Sequence, residues 1–426
     1  MKHAAPLLCL LILCVTVLLC ACDGVSSSET PADTDPVGTA DTPTLPDTDT
    51  AQKEDTDMAT QDTAEAEDFD NITTYRVTDK NGEGGLDFVI DFPAGKDLTV
   101  LQITDTQMQT MAGVRNENRK NQVGNAFFSV LPDDFEFRVW RYVDEAVERT
   151  RPDLIVLTGD NIYGELDDSG TMWSALIEKM DSYSIPWCVV FGNHDNESGK
   201  GVSWQIEQLE KSKYCIFKSG AVSGNSNYNL LIRQGGVVKY LFYMLDSGGC
   251  QTKPHNPGEG LMPDNVDLDK IQQTPGFRAD QVTWMTNSAK EIRQAYGEVP
   301  VMMFYHILVN DGAQIIHRTY TEAIRPPFIP HLEGDFGVVR EVIAGANAGR
   351  FWKNARSIGC VGMFVGHQHT VAASILCDGI RVTFGLKTGT YDYHDPDLLG
   401  STKITLPENG DDFEVEYVHS RLPYKE

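Results

Sequence analysis

From Leu86 to Phe92 apolar and polar side chains alternate, and the run stops at a turn, Pro93-Ala94-Gly95. A period of two predicts a strand, and the apolar patterning that begins near Ile72 marks the start of a folded domain spanning 71–426. Six further apolar runs follow: Leu98 to Ile103, Leu154 to Leu157, Trp187 to Phe191, Tyr240 to Leu245, Val299 to Tyr305, and Val361 to Val365. Each ends abruptly at polar residues, the signature of a buried strand. Phe135 to Thr150 has a different period. There Val139, Tyr142, Val143, Ala146 and Val147 share one helical face, and Arg278 to Tyr296 carries the stripe Val282, Met285, Ala289 and Ile292. Both are read as packing helices. Strands alternating with helices predict a layered α/β architecture without internal repeats. The Gly- and Pro-containing stretches Gly248 to Pro275 and Asp311 to Gly334 read as loops over the working face.

The first seventy residues are of another kind. Met1 to Cys22 is one basic residue, Lys2, followed by an apolar run from Ala4 to Ala21, which reads as an export signal. A retained membrane-spanning anchor is the rival, since the run approaches the ~20 residues a bilayer core requires. The end of the run, Leu19-Cys20-Ala21-Cys22, resembles the bacterial lipobox, which implies acylation of Cys22 and retention at the outer face of a bacterial cell membrane. Ser26 to about Asp68 is almost wholly Ser, Thr, Asp, Glu, Pro and Ala, so residues 23–70 read as a disordered acidic tether. The formal net charge of -27 argues against a nucleic-acid-binding surface and leaves no duplex partner expected. Beyond the export segment the cysteines are Cys188, Cys215, Cys250, Cys360 and Cys377, an odd and scattered set that permits disulfides without demanding them.

Composition leaves the chemistry open, but the strand ends do not. Asp105 follows the first run, Gly159-Asp160-Asn161-Ile162-Tyr163 the second, and Gly192-Asn193-His194-Asp195 the third. The fifth run ends at His306 and the sixth at Gly366-His367-Gln368-His369. Singly, such residues are as readily helix caps, turn residues or structural histidines. Together they gather oxygen and imidazole donors at one edge of the strands, which is where open α/β sheets bind ligands. Two cations held ~3.5 to 4 Å apart need a shared carboxylate and further hard donors, and Asp160 is the natural bridge.

In this order the blocks resemble the signature of the calcineurin-like metallophosphoesterase superfamily over residues 98 to 370. The resemblance implies a four-layer α/β/β/α sandwich of two mixed sheets. It implies that Asp105 and His369 complete one metal site, and that Asn193, His306 and His367 complete the other. His194 resembles the family's phosphate-contacting histidine and proton donor, oriented by Asp195 through a hydrogen bond. Two metal ions would then generate hydroxide near neutral pH for in-line attack on phosphorus.

One position departs from the pattern. Asp105-Thr106-Gln107 has Gln where the common motif has His, which makes Gln107 a weak metal or water contact at best. Tyr163, three residues after Asp160, resembles the Gly-Asp-x-x-Tyr block of purple acid phosphatases. As a phenolate ligand it would favour Fe(III) in the first site beside a divalent Fe, Zn or Mn, and as a bland residue it only packs. The expected function is hydrolysis of extracellular phosphate monoesters. A phosphodiesterase acting on nucleotides or lipid headgroups is the alternative within enzymes. A non-catalytic binding lipoprotein with a decayed first site, or a solute receptor, is the alternative outside them. Asp246-Ser247-Gly248-Gly249, Thr388-Gly389-Thr390-Tyr391, His255, His317, His331 and His394 are candidate substrate contacts or ordinary surface residues.

Overall fold

The computed structural model describes residues 74–110, 135–167, 169–249, 275–320, 327–347, 349–410 and 412–422. Every described residue lies in the unit Ala64–Glu426. The signal, Cys22, the acidic tether, Cys250 and His255 lie outside the described residues.

Fourteen strands and six helices are described. The strands are β1 (Arg76–Asp79), β2 (Phe88–Phe92), β3 (Leu98–Ile103), β4 (Leu154–Thr158), β5 (Trp187–Val190), β6 (Tyr228–Gln234) and β7 (Val237–Met244), then β8 (Val301–Phe304), β9 (Phe336–Val339), β10 (Cys360–Val365), β11 (Val371–Cys377), β12 (Ile380–Phe384), β13 (Gly400–Leu406) and β14 (Glu414–His419). The helices are α1 (Phe135–Thr150), α2 (Thr171–Ser182), α3 (Val202–Lys211), α4 (Ala279–Tyr296), α5 (Asn310–Thr319) and α6 (Phe351–Ser357).

Two mixed sheets result. One has nine strands in the order β1-β2-β6-β7-β8-β10-β12-β11-β9, and the other has five in the order β14-β13-β3-β4-β5. In the larger sheet β7, β8, β10 and β12 run parallel to one another. In the smaller, β3, β4 and β5 are parallel and β13 is antiparallel to β3.

The alternation along the strands explains the layering. Met302 and Phe304 of β8 turn into one core with Phe242, Met244 and Phe364 and the residues of β3, β4 and β5. Val301 and Met303, their neighbours in sequence, turn into a second core with Leu241, Tyr243 and Met363 and with Met285 and Ile292 of α4, Ile316 of α5 and Phe351 of α6. Side chains of period two thus bury both faces of the larger sheet. The first core also takes in Val139 and Val143 of α1 and Trp173 and Leu176 of α2, on the far side of the smaller sheet. The layers are therefore α/β/β/α, as the resemblance implies. Each fully buried aliphatic or aromatic side chain contributes about 1.5–3 kcal/mol relative to exposure. Phe304 and Phe364 stack with centroids 5.0 Å apart, locking β8 against β10.

One stretch differs from its sequence reading. Residues 310–319 are helix α5, not loop. Asn310-Asp311-Gly312 has turn composition, but Gly312, Ala313, Ile315 and Ile316 form a buried stripe that packs on β11. Tertiary burial outweighs the weak local propensity there.

Candidate metal centre

Parallel strands expose their C-terminal ends at one edge. The chain leaves β3, β4, β5, β8 and β10 there through backbone contacts that tie the ends together: Asp105 N–H donates to Gly159 O, Tyr305 N–H to Phe364 O, and Gly366 N–H to His306 O. The crowding dictates glycine at two of these exits. A Cβ on Gly192 would lie on the amide nitrogen and carboxylate of Asp160, and one on Gly366 would collide with Thr104 Oγ1 and the Asp105 carboxylate. Gly192→Ala should therefore displace Asp160 and lower any turnover at this centre at least about a hundred-fold, since a shift of an ångström at a reacting centre has that scale of effect. Steady-state kinetics beside metal analysis checks this.

The exits hold the candidate ligands in two overlapping groups. Donor atoms of Asp160, His306 and His367 lie within 4.8 Å of one another, and so do those of Asp105, Asp160 and His369. Asp160 belongs to both. Asp105, Gln107, Asp160 and His367 all have left-handed backbone, with φ of 53°, 44°, 50° and 70°. Such conformations cost a non-glycine residue free energy and cluster at functional sites.

Two histidines are held in one tautomer. His306 Nδ1 lies 2.9 Å from the Thr158 carbonyl, and His369 Nδ1 lies 2.9 Å from the Tyr393 carbonyl. A carbonyl only accepts, so each Nδ1 carries its proton and each Nε2 faces the carboxylates, the arrangement of metal-binding imidazoles. His306 Nε2 is 3.1 Å from Asp160 Oδ2 and His369 Nε2 is 3.4 Å from Asp105 Oδ1. His306 Nε2 has no aligned hydrogen-bond partner, and neither does either amide atom of buried Asn193. Buried polar atoms without partners are expensive, and a cation in the cluster would satisfy these.

The charges agree. Burial disfavours the ionised form of Asp160, but His306, His194 and His367 overcome this and hold its carboxyl well below the usual range. Asp105 is likewise held low against burial, chiefly by His306 and His369. Burial would lower His306, yet Asp160 and Asp105 push it up to about 9. His367 falls to about 4 through burial and the neighbouring charge of His306. A proton on His306 thus offsets carboxylate charge that a metal ion would otherwise balance.

Around this core the structure assigns roles that sequence reasoning divided differently. His194 Nδ1 lies 2.7 Å from Glu197 Oε2, not against Asp195. Asp195 instead accepts from the N–H groups of Gly192 (2.7 Å) and Ile162 (3.0 Å) and from Asn161 Nδ2 (3.0 Å). Its part is to clamp the exits of β4 and β5 together, and the orienting carboxylate is Glu197. The reason is local: residues 195–197 form a 3-10 turn, which brings the side chain three places after His194 back over it. Glu197, at that spacing, was the legible signal. Burial would lower the His194 imidazole, but Glu197 and Asp160 push it up to about 10.

Tyr163 stacks face to face on the His194 ring, centroids 4.2 Å apart and planes 22° from parallel. Gln107 is fully buried, with Nε2 3.4 Å from Asp160 Oδ2 and Oε1 accepting from Lys387 Nζ at 2.8 Å. Lys387 is the second residue missed, a lone cation after the strand-like Val382–Leu386 run. Its ammonium also donates to the Asp105 carbonyl at 2.7 Å. Burial lowers its pKa, opposed by Asp105, Asp392 and Asp160.

The lesser candidates divide. Asp246 accepts from the N–H groups of Asn225 and Gly248, and Ser247 Oγ accepts from Ile307 N–H, so this turn braces the exit of β8. Thr388 donates to the Gly400 carbonyl. His394 and His369 are joined to the 392–393 loop through carbonyls, and Tyr393 stacks on His369 at 4.1 Å. His331 packs edge-on against Tyr320, and His317 lies on α5. Cys188, Cys215, Cys360 and Cys377 are free thiols.

Comparison with known proteins fits this geometry. Residues 98–296 match the model of the family described as calcineurin-like phosphoesterase. Among curated proteins, the chain is 24% identical over 324 residues to the "Probable inactive purple acid phosphatase 29" of Arabidopsis thaliana, covering 71% of this chain and 74% of that protein. It is 40% identical over 286 residues to the "Probable inactive purple acid phosphatase 28" of the same plant, covering 62% and 66%. Among solved structures, the purple acid phosphatase PPD1 of yellow lupin (Lupinus luteus) aligns over 78% of this chain and 54% of its own, with 8% identity and a TM-score of 0.41.

Proposed function

We propose that the chain is a metallophosphoesterase that hydrolyses extracellular phosphate monoesters from a lipid anchor at Cys22, a reading supported by the match of residues 98–296 to the calcineurin-like phosphoesterase family. The observation that supports a working centre is the pair of donor groups sharing Asp160, with His194 beside them. Asp105, Asp160 and His369 would hold one ion, and Asp160, Asn193, His306 and His367 the other. Bound there, two metal ions would draw electron density from the phosphoryl oxygens and lower the pKa of a water. The remaining work falls to side chains. Asp160 Oδ1 accepts the His194 N–H at 2.8 Å, fixing the histidine backbone beside the bridge. Glu197 holds Nδ1 of His194, which keeps the imidazole protonated and presents Nε2 as the donor to the leaving alkoxide oxygen. The Tyr163 ring keeps that imidazole flat against it.

On this reading the first site would take Fe(III), with Tyr163 as phenolate ligand, and the second a divalent Fe, Zn or Mn. The exported, outer-face location rests on the Met1–Cys22 pattern.

A non-catalytic reading has two observations in its favour: Gln107 stands where a ligand is expected, and the two plant relatives above bear the words "probable inactive". The test is metal analysis of the full chain after exposure to iron, zinc and manganese, with p-nitrophenyl phosphate and its bis ester as substrates. Two ions per chain, iron included, with faster monoester turnover and a visible band lost in Tyr163→Phe, is the expected result. A metal-replete chain that turns over neither ester would sink the catalytic reading.

A further inference from the structure

We propose that Lys387 is a positioning residue that keeps Gln107 out of the metal shell and makes the Asp105/Asp160/His369 group the weaker of the two for a divalent ion. The inference rests on the dinuclear reading above and concerns how the two positions differ. An ammonium has donors only, so the Gln107 atom 2.8 Å from Lys387 Nζ must be the carbonyl oxygen. The amide nitrogen is thereby turned toward Asp160 Oδ2, which as a carboxylate only accepts. Flipping the amide would set donor against donor at Lys387 and acceptor against acceptor at Asp160. The orientation is fixed from both ends, and position 107 shows the centre N–H groups where a ligand would show a lone pair.

Lys387 also brings charge. It is 1% exposed and donates to the backbone carbonyl of Asp105, a member of the first group alone. A buried cation there opposes a second cation at the Asp105 group, because like charges repel more strongly away from water. The His306/His367 group has Asn193 with both amide atoms unpartnered. One position thus gains no lone pair from residue 107 and lies near a fixed positive charge, while the other has an unpartnered amide to spare.

The test is calorimetric titration of Mn²⁺ into the metal-free full chain, its Lys387→Met variant, and Lys387→Gln, whose amide can still donate to the Asp105 carbonyl if Met destabilises the fold. Far-UV circular dichroism and metal-free melting check that each variant is folded. The wild type should bind one equivalent at least about tenfold more tightly than the second, and loss of the charge should tighten the second by about tenfold while the first moves little, the scale on which residues behind the ligands tune metal affinity. Two equal constants in the wild type, or a second constant unmoved in both variants, would overturn the role given to Lys387 and leave the dinuclear centre standing. No binding in any of the three proteins would overturn both.

Discussion

Asp160→Ala should lower kcat/KM for a phosphate ester at least about a thousand-fold, a loss of about 4 kcal/mol in transition-state stabilisation. The scale follows from the number of tasks one carboxylate performs. Asp160 is the only residue common to both donor groups, so its removal opens both at once. It also accepts the His194 N–H and faces His306 Nε2, which ties the proton donor to the ligand set. Loss of the carboxylate leaves His306 buried without its main counter-charge, so its imidazole should fall from about 9 toward neutrality or below. Steady-state kinetics and metal content on the same preparation separate the alternatives. Turnover within tenfold of the wild type would mean that the centre lies elsewhere.

Glu197→Gln should cost about a hundred-fold in kcat with a smaller change in KM, because general acid assistance is typically worth 10²–10⁴-fold and only the orienting partner is lost. The variant has a pH signature that a packing defect lacks. In the metal-free chain the folded His194 pKa is about 10 against an ordinary 6.5, raised by Glu197 and Asp160 against burial. A raised histidine pKa adds stability that is fully present below about pH 6.5 and is lost as pH rises through about 10. Glu197→Gln should flatten that decline and bring the His194 titration down, as followed by imidazole NMR in the metal-free protein. Asp195→Asn should leave the His194 titration nearly in place, since Asp195 bonds to Gly192, Ile162 and Asn161 instead. Equal displacement of the titration by both substitutions would return the orienting role to Asp195.

Much of this molecule is readable from the chain because the strands that matter are mostly apolar. Leu98 to Ile103 and Leu154 to Leu157 match β3 and β4 closely, since strands buried on both faces are mostly apolar, with only Thr99 and Gln102 interrupting the first. The ligands are legible for a related reason: Asp105, Asp160, Asn193, His306, His367 and His369 all lie one to four residues past such a run. What escapes is whatever depends on the return of the chain. Glu197 reaches His194 only once the turn at 195–197 has formed, and Lys387 reaches Gln107 across 280 residues. β13, which pairs with β3 in the smaller sheet, alternates too weakly to announce itself, with Ser401 and Thr402 buried in it. Helix α5 is hidden by a turn-like start.

The left-handed backbone at Asp105, Gln107, Asp160 and His367 has an evolutionary consequence. Glycine at any of them would relax the main chain while the sheets kept their pairing, because the paired strands end before these residues are reached. Fold and catalysis are therefore under opposed selection at the same few positions. A lineage released from the need to hydrolyse anything would find loss of a ligand tolerable, even downhill, long before it lost the sandwich. Descendants of such a protein should be recognisable by intact strands and eroded strand ends. For sorting enzymes from their silent cousins, the residues just past β3, β4, β5, β8 and β10 are therefore the ones to read first.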